Sequence, residues 1–318
     1  MKIISIIIPV YNEEENLHNL YNRLRSVVDK LDYGYEFLFV NDGSKDNSLN
    51  IIKELKEQDE NVSYVNLARN FGKEIAMAAA FDHVIGDAAV VIDADLQDPP
   101  EIIYEMVKYW EEGYDDVYAK RRSRKGETFV KKFTSKAFYK ILEKISSVPI
   151  QKDTGDFRLV SRQFIEELKK LRECNRYTKG LFSWVGLKKK ELYFDRDPRA
   201  AGQTKWNYFK LVDLAIEGII SSTTFPLKIA TFLGLLIGGI SFIYLIFIVA
   251  KTLIYGIDVP GYASIVSIIL FLSGVQLVSI GIIGEYLARI FMESKNRPLY
   301  IVQEFEGKED RKRYRSIG

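Results

Sequence analysis

Residues 229–250, IATFLGLLIGGISFIYLIFIVA, carry no charge and are bracketed by Lys228 and Lys251. As a helix this run rises about 33 Å, enough to cross the roughly 30 Å hydrocarbon core of a bilayer. A second uncharged run covers 259–284 and stops at Glu285. Two such runs in succession rarely occur inside a soluble domain of this size. The link KTLIYGIDVPG is short, so the pair predicts an antiparallel transmembrane hairpin over 227–286. The link has Lys251 and Asp258, whereas Lys205, Lys210 and Lys228 precede the hairpin and Arg289, Lys295, Arg297, Lys308, Arg311, Lys312, Arg313 and Arg315 follow it. The positive-inside rule therefore predicts a multi-pass protein of the inner (cytoplasmic) membrane with both chain ends in the cytoplasm. Gly234, Gly238 and Gly239 in one run, with Gly274, Gly281 and Gly284 in the other, allow close helix approach, within the hairpin or in a homo-oligomer.

Upstream, WNYFKLVDLAIEGIISSTTFP has Asn207, Lys210, Asp213, Glu217 and Ser221 on one helical stripe and Trp206, Phe209, Val212, Leu214, Ile216 and Ile220 away from it. This predicts an amphipathic helix over 206–226 lying in the membrane interface, ended by Pro226. A second helix, over 129–145, has apolar residues at helical spacing with lysines among them. It suits the interface and packing on the globular part equally. The expected division is a catalytic domain over 1–205, the interfacial helix, the hairpin, and a basic cytoplasmic tail over 287–318.

The first 210 residues carry most of the charge, and there the pattern alternates strand and helix. Strands are predicted at 3–10, 35–40, 62–67 and 88–93. Helices are predicted between them, through Leu17–Leu31, through Leu49–Leu55 and from near Gly72, with another from Pro99-Pro100. Such units build an α/β domain with a mostly parallel, Rossmann-like sheet covered on both faces. Neither GxGxxG nor GxxxxGKS/T occurs. Lys+Arg 45 against Asp+Glu 43 is too balanced for a broad nucleic-acid-binding face. The single cysteine, Cys174, excludes an intramolecular disulfide and a multi-cysteine metal site. The start, MKIISIIIPV, lacks the h-region and cleavage site of a signal peptide, so the catalytic part is expected in the cytosol.

In open α/β sheets ligands bind beyond the carboxyl ends of the strands. Tyr11-Asn12-Glu13, Asn41-Asp42-Gly43-Ser44 and Asp93-Ala94-Asp95-Leu96-Gln97 fall at three of those ends. Four carboxylates there, with only His18 and His83 as histidines, point to a hard divalent cation, Mg²⁺ or Mn²⁺, bound with substrate phosphates. Asp93 and Asp95 are the sharpest candidates as metal ligands. The basic stretch KRRSRKGETFVKK at 120–132 reads as an anion-facing loop, with Arg122, Arg124 and Lys132 as candidates for the acceptor and its phosphate.

Taken together, SIIIPVYNEEENL, FVNDGSKDNS, LARNFGKEIA, DADLQDPPE, TGDFRL and GQTKW resemble glycosyltransferase family 2 over about residues 3–305. Within it the chain is most similar to the polyprenyl-phosphate glycosyltransferases related to dolichol-phosphate mannose synthase, in the bactoprenol glucosyltransferase branch with two C-terminal transmembrane helices. The resemblance implies the A-type nucleotide-sugar fold. It implies nucleoside contacts from Pro9, Tyr11, Glu13 and Asp42, metal ligation by Asp93, Asp95 and Gln97, and a phosphate-gripping role for Arg122. Asp156, followed by Arg158, is implied to lie near the reacting centre. Where many relatives carry Gln-x-x-Arg-Trp, this chain has Gln203-Thr204-Lys205-Trp206, and Lys205 lacks the bidentate fork of arginine. The resemblance also implies a cytoplasmic nucleotide sugar, undecaprenyl phosphate as acceptor, inversion, and a lipid product passed to a flippase and a downstream glycosyltransferase.

The chemistry fits that equipment. A nucleoside diphosphate becomes a good leaving group when its developing charge is neutralised by metal, arginine and lysine. A lipid phosphate with a second pKa near about 6 is mostly ionised at neutral pH and needs little base assistance. Asp156 can therefore remove a residual proton or orient neighbouring cations. UDP-glucose is the first donor choice, then UDP-N-acetylglucosamine, then a modified amino-arabinose donor. A processive polysaccharide synthase and a non-catalytic membrane adaptor are the rival classes. Two spans offer little material for a polymer channel, and an adaptor has no need of Asp42, Asp93 and Asp95 together.

Overall fold

A computed structural model of the protein describes residues 1–122, 154–195, 225–255 and 261–308. These fall into two compact units. The first comprises the described residues up to 195 and those from 298 onward, and the second comprises 225–255 and 261–297.

The first unit is built on one eight-stranded sheet. Its strands are β1 (Ile3–Val10), β2 (Gly34–Asn41), β3 (Val62–Leu67), β4 (Ala88–Val91), β5 (Asp116–Arg121), β6 (Thr154–Ser161), β7 (Lys189–Phe194) and β8 (Val302–Glu306). The spatial order is β7-β5-β6-β4-β1-β2-β3-β8. β1 pairs in parallel with β2 and β4, β2 with β3, and β5 with β7. β6 runs antiparallel to β4 and β5, and β8 antiparallel to β3. The helices are α1 (Leu17–Val28), α2 (Ser48–Gln58), α3 (Lys73–His83), α4 (Ile103–Glu111), α5 (Arg162–Lys170) and α6 (Thr178–Trp184).

The apolar pattern explains the layering. Ile4, Ile6, Ile8 and Val10 of β1 join Leu17, Leu20 and Leu24 of α1 in one core cluster, while Ile7 joins Met77 and Phe81 of α3 and Phe164 of α5 in the other. A strand buried on both faces reads as a near-continuous apolar run, and IISIIIPV supplies it with only Ser5 and Pro9 breaking the β-branched series. The mostly parallel sheet with helices on both faces is the A-type architecture expected from the sequence. The fourth strand is shorter than predicted: β4 ends at Val91, so Asp93 lies beyond it. Pairing of β4 with the antiparallel β6 extends the sheet past the alternating strand–helix segment.

β8 comes from the region expected as a tail. Its Glu304 accepts hydrogen bonds from the Tyr64 hydroxyl (2.8 Å) and from Lys53 Nζ (2.7 Å). Tyr300, just before it, donates its hydroxyl to Asp82 Oδ2 (2.7 Å) on α3.

The second unit holds α7 (Phe225–Tyr255) and α8 (Tyr262–Ser294). Both are long and apolar enough to cross a membrane, over Ile229–Tyr255 and Phe271–Ser294. Large apolar side chains such as Phe232, Ile243, Phe271 and Leu277 are exposed, so this face is not covered by the protein itself. α8 runs ten residues past the charge-free segment and includes Glu285, Arg289 and Glu293. Pro226 sits in the first turn of α7, where its missing N–H breaks no helical bond. The helix expected over 129–145 lies outside the described residues, as do all but the last two residues of the one expected over 206–226 and Arg124, Lys132, Gln203 and Lys205.

Candidate active site

The register of the sheet assembles the site. Val10 pairs with Asn41 across β1 and β2, and Ile7 with Val91 across β1 and β4. Tyr11, Asp42 and Asp93 therefore all leave the sheet at one edge. β6 runs the other way and contributes its beginning to the same edge. Val91 pairs with Arg158, and continuing that antiparallel register sets Asp93 opposite Asp156.

A cavity of about 250 Å³ opens there, lined by Pro9 in β1, Tyr11 and Glu13 after it, Asp42 after β2, Asp93 and Asp95 after β4, and Asn70, Gly72, Lys73 and Ala76 at the start of α3. The β1 and β2 loops are tied together. Asn12, at φ 54°, donates its N–H to Ser44 Oγ (3.0 Å), and its Oδ1 accepts from the Lys45 N–H (2.8 Å). The Glu13 N–H donates to Ser48 Oγ (3.0 Å), while Glu13 Oε2 accepts from Asn16 Nδ2 (2.8 Å).

Asp42 is buried, and its two oxygens accept the backbone N–H groups of Phe71 (2.7 Å) and Gly72 (2.9 Å). Burial pushes its pKa up, against those two bonds and nearby Arg69. Its carboxylate thus braces the loop that leads into α3. Gly72 is at φ 95°, which favours glycine, and it sets the start of the helix at the cavity wall.

Lys73, the first residue of α3, bridges the two strand-end aspartates. Its Nζ lies 2.6 Å from Asp93 Oδ1 and 2.5 Å from Asp156 Oδ2. Burial alone works against both charges. For Asp156 the Lys73 and Lys179 ammonium groups outweigh it and hold the pKa at about 2. For Lys73, whose side chain keeps 41% of its surface exposed, the partial loss of water is outweighed by Asp93 and Asp156, which raise its pKa. Sequence reasoning did not single out Lys73. The signal available was a lysine at a helix N-terminus, where the helix dipole disfavours a cation.

The other expected residues fall differently. Gln97 lies outside the cavity lining and donates its backbone N–H to Asp95 Oδ1 (3.1 Å). Arg122 is exposed at the end of β5, 3.8 Å from Asp195. Arg158, expected beside Asp156 near the reacting centre, does not reach the cavity surface. Its side chain is 0% exposed, its Nη1 donates to Asp116 Oδ1 and Oδ2 (3.2 and 3.1 Å), and its guanidinium lies 3.8 Å from the Phe182 ring centre. A fully desolvated arginine of this kind needs its own carboxylate, and Asp116 supplies it.

Among the described residues no three His, Cys, Asp or Glu side chains converge into a complete metal cage. Magnesium-type ions are commonly held by one or two carboxylates plus substrate phosphates, and Asp93 with Asp95 on one wall fits that pattern. The ammonium already seated against Asp93 marks the position as one that accepts positive charge.

Two families match the sequence. Glycosyl transferase family 2 matches residues 5–169, and the GtrB C-terminal hairpin matches residues 225–290. An uncharacterized glycosyltransferase of Synechocystis sp. is 52% identical over 96% of this chain and 96% of its own. An uncharacterized glycosyltransferase of Bacillus subtilis is 46% identical over 98% of this chain and 96% of its own. A bactoprenol glucosyl transferase of Shigella phage SfV is 45% identical over 94% of this chain and 98% of its own.

Proposed function

Because the chain belongs to glycosyltransferase family 2 and carries the hairpin of its GtrB members, we propose that it transfers one sugar, glucose first among candidates, from a nucleotide sugar to a polyprenyl phosphate. The observation that carries this reading is one cavity that gathers Glu13, Asp42, Asp93 and Asp95, in a chain that also has two membrane-length helices among its described residues. The relative named as a bactoprenol glucosyl transferase supports glucose and the lipid acceptor.

In this reading Pro9, Tyr11 and Glu13 line the nucleoside end of the cavity, and Asp42 keeps the opposite wall in register. Asp93 and Asp95 would hold Mg²⁺ or Mn²⁺, whose positive charge would offset the negative charge developing on the leaving diphosphate. Arg122, Arg124, Lys132, Gln203 and Lys205 are assigned to the phosphates of donor and acceptor. Asp156, with a pKa of about 2, is a poor proton acceptor at neutral pH. It serves instead to hold cations near the reacting centre, and the ionised lipid phosphate attacks directly. Among the described residues no carboxylate is assigned as a covalent nucleophile, so the reading is a single displacement with inversion.

The membrane assignment rests on the hairpin and on β8. Residues 298–308 belong to the same unit as residues 1–122, so the chain leaves that unit before α7 and rejoins it after α8. An even number of crossings is required, which agrees with both ends in the cytoplasm. The glycines of α7 and α8 are assigned to close helix contacts in the hairpin or between copies. The lipid product is assigned to a flippase and a further transferase. Incubating membranes that contain the protein with labelled UDP-glucose, UDP-N-acetylglucosamine and other nucleotide sugars tests the reading. A single-sugar lipid from UDP-glucose is expected. Long polymer as the product would restore the synthase reading, and no transfer from any donor would restore the adaptor.

A further inference from the structure

Lys73 occupies a position that its own helix opposes. A cation in the first turn faces the positive end of the α3 dipole. Its neighbour Glu74 has Oε2 engaged in accepting the Thr178 N–H (3.0 Å). What holds the ammonium is the other wall of the cavity, Asp93 at 2.6 Å and Asp156 at 2.5 Å. Asp156 Oδ1 is buried and accepts no hydrogen bond among the described residues, so this carboxylate leans on Lys73 for its partner. The Asp42-braced turn at Phe71 and Gly72 fixes where the lysine starts.

One carboxylate, Asp93, is therefore claimed twice. In the proposed reaction it is a metal ligand, and in the structure it is an ammonium ligand. A divalent ion and an ammonium on the same carboxylate repel each other unless more negative charge enters the site. The diphosphate of the donor brings that charge, and a lysine at a helix N-terminus suits a phosphate well.

We infer that Lys73 is a built-in counter-cation. Without nucleotide its ammonium clamps Asp93 to Asp156 and competes with the metal for Asp93. When a nucleoside diphosphate binds, the ammonium turns to the phosphates and Asp93 passes to the metal. Metal and nucleotide then bind synergistically, and the acidic pair is never left without a cation. The inference rests on the reading of Asp93 and Asp95 as metal ligands.

The test is Mn²⁺ binding to the full-length, detergent-solubilised protein, followed by the electron paramagnetic resonance of free Mn²⁺, with and without UDP. Wild type should bind Mn²⁺ weakly alone and roughly tenfold or more tightly with UDP, a change of about 1.4 kcal/mol. Lys73→Met should bind Mn²⁺ more tightly than wild type without UDP, and UDP should add little. Lys73→Arg keeps the charge and should behave as wild type, which separates a charge effect from damage to the fold. Asp95→Asn distinguishes the two layers of the argument. If Asp95→Asn leaves Mn²⁺ binding unchanged, the metal-ligand reading fails. If it abolishes binding while Lys73→Met binds no more tightly than wild type, the counter-cation inference alone fails.

Discussion

Asp93 and Asp95 face the cavity rather than the core clusters, so their loss should affect chemistry and spare the fold. Asp93→Ala or Asp95→Ala should abolish measurable transfer while the melting curve stays within about 1 kcal/mol of wild type, as for other substitutions outside the core. EDTA should stop the wild-type reaction, and Mg²⁺ or Mn²⁺ should restore it. Normal turnover by either variant would remove these carboxylates from the site. Asp156 leads to a pH prediction. Its folded pKa of about 2 lies below the ordinary value near 3.9. Its ionised form thus adds stability that is present above that ordinary value and is lost as pH falls through about 2. Between pH 5 and 9 it does not titrate, so a rate profile over that range should contain no limb from Asp156. The rise expected near pH 6 comes from the second ionisation of the lipid phosphate and should persist in Asp156→Asn, at a lower rate. Loss of that rise in the variant would return Asp156 to the role of base.

At the scale of elements, the turn into α3 is the part most open to test. Asp42 accepts two backbone N–H groups there while buried, and unsatisfied buried donors cost about 1–3 kcal/mol. Asp42→Ala should lower stability by that order in urea titrations and weaken nucleotide binding by calorimetry, because the turn then no longer fixes the cavity wall. Much of this neighbourhood was legible in advance. The β-branched run of β1, the helical spacing of Leu17, Leu20 and Leu24, and the polar residues after β1, β2 and β4 all follow from local pattern. The partner of Arg158 was not legible because nothing local distinguishes an arginine that serves a ligand from one that answers a buried carboxylate. Asp116 lies 42 residues before it and meets it only through the pairing of β5 with β6. Lys73 was missed for a related reason: its partners come from the segment after β4 and from β6, and the antiparallel contact of those strands is a property of the sheet and of no single segment. β8 was hidden as well, since VQEFE carries three polar residues and gains its place only by pairing with β3.

For the whole molecule, the proposed acceptor sits at a membrane and the catalytic unit is covalently tied to the hairpin at both ends. Replacing residues 225–297 by a flexible linker should leave a folded domain that binds nucleotide and metal but transfers sugar poorly to polyprenyl phosphate in vesicles, because acceptor presentation is lost. Equal rates for the two forms in vesicles would defeat that positioning argument. A simple truncation after residue 225 is a harsher change. It also removes Glu304 and Tyr300, uncovers the β3 edge, and should melt at lower temperature than the linker form.

The late position of β8 also bears on how the protein is made. Between Leu67 and Val302 the ribosome must deliver more than two hundred residues, on the order of tens of seconds of synthesis. Throughout that interval β3 is the outermost strand, with its hydrogen-bonding edge unfilled. In the proposed topology the strand that fills it arrives only after α7 has crossed the bilayer and α8 has returned. A nascent chain that stalls after one crossing carries Val302–Glu306 on the wrong side of the membrane and remains open at that edge. Completion of the sheet thereby reports correct insertion, and quality-control proteases that seize unpaired strands have a structural criterion for telling finished copies from failed ones.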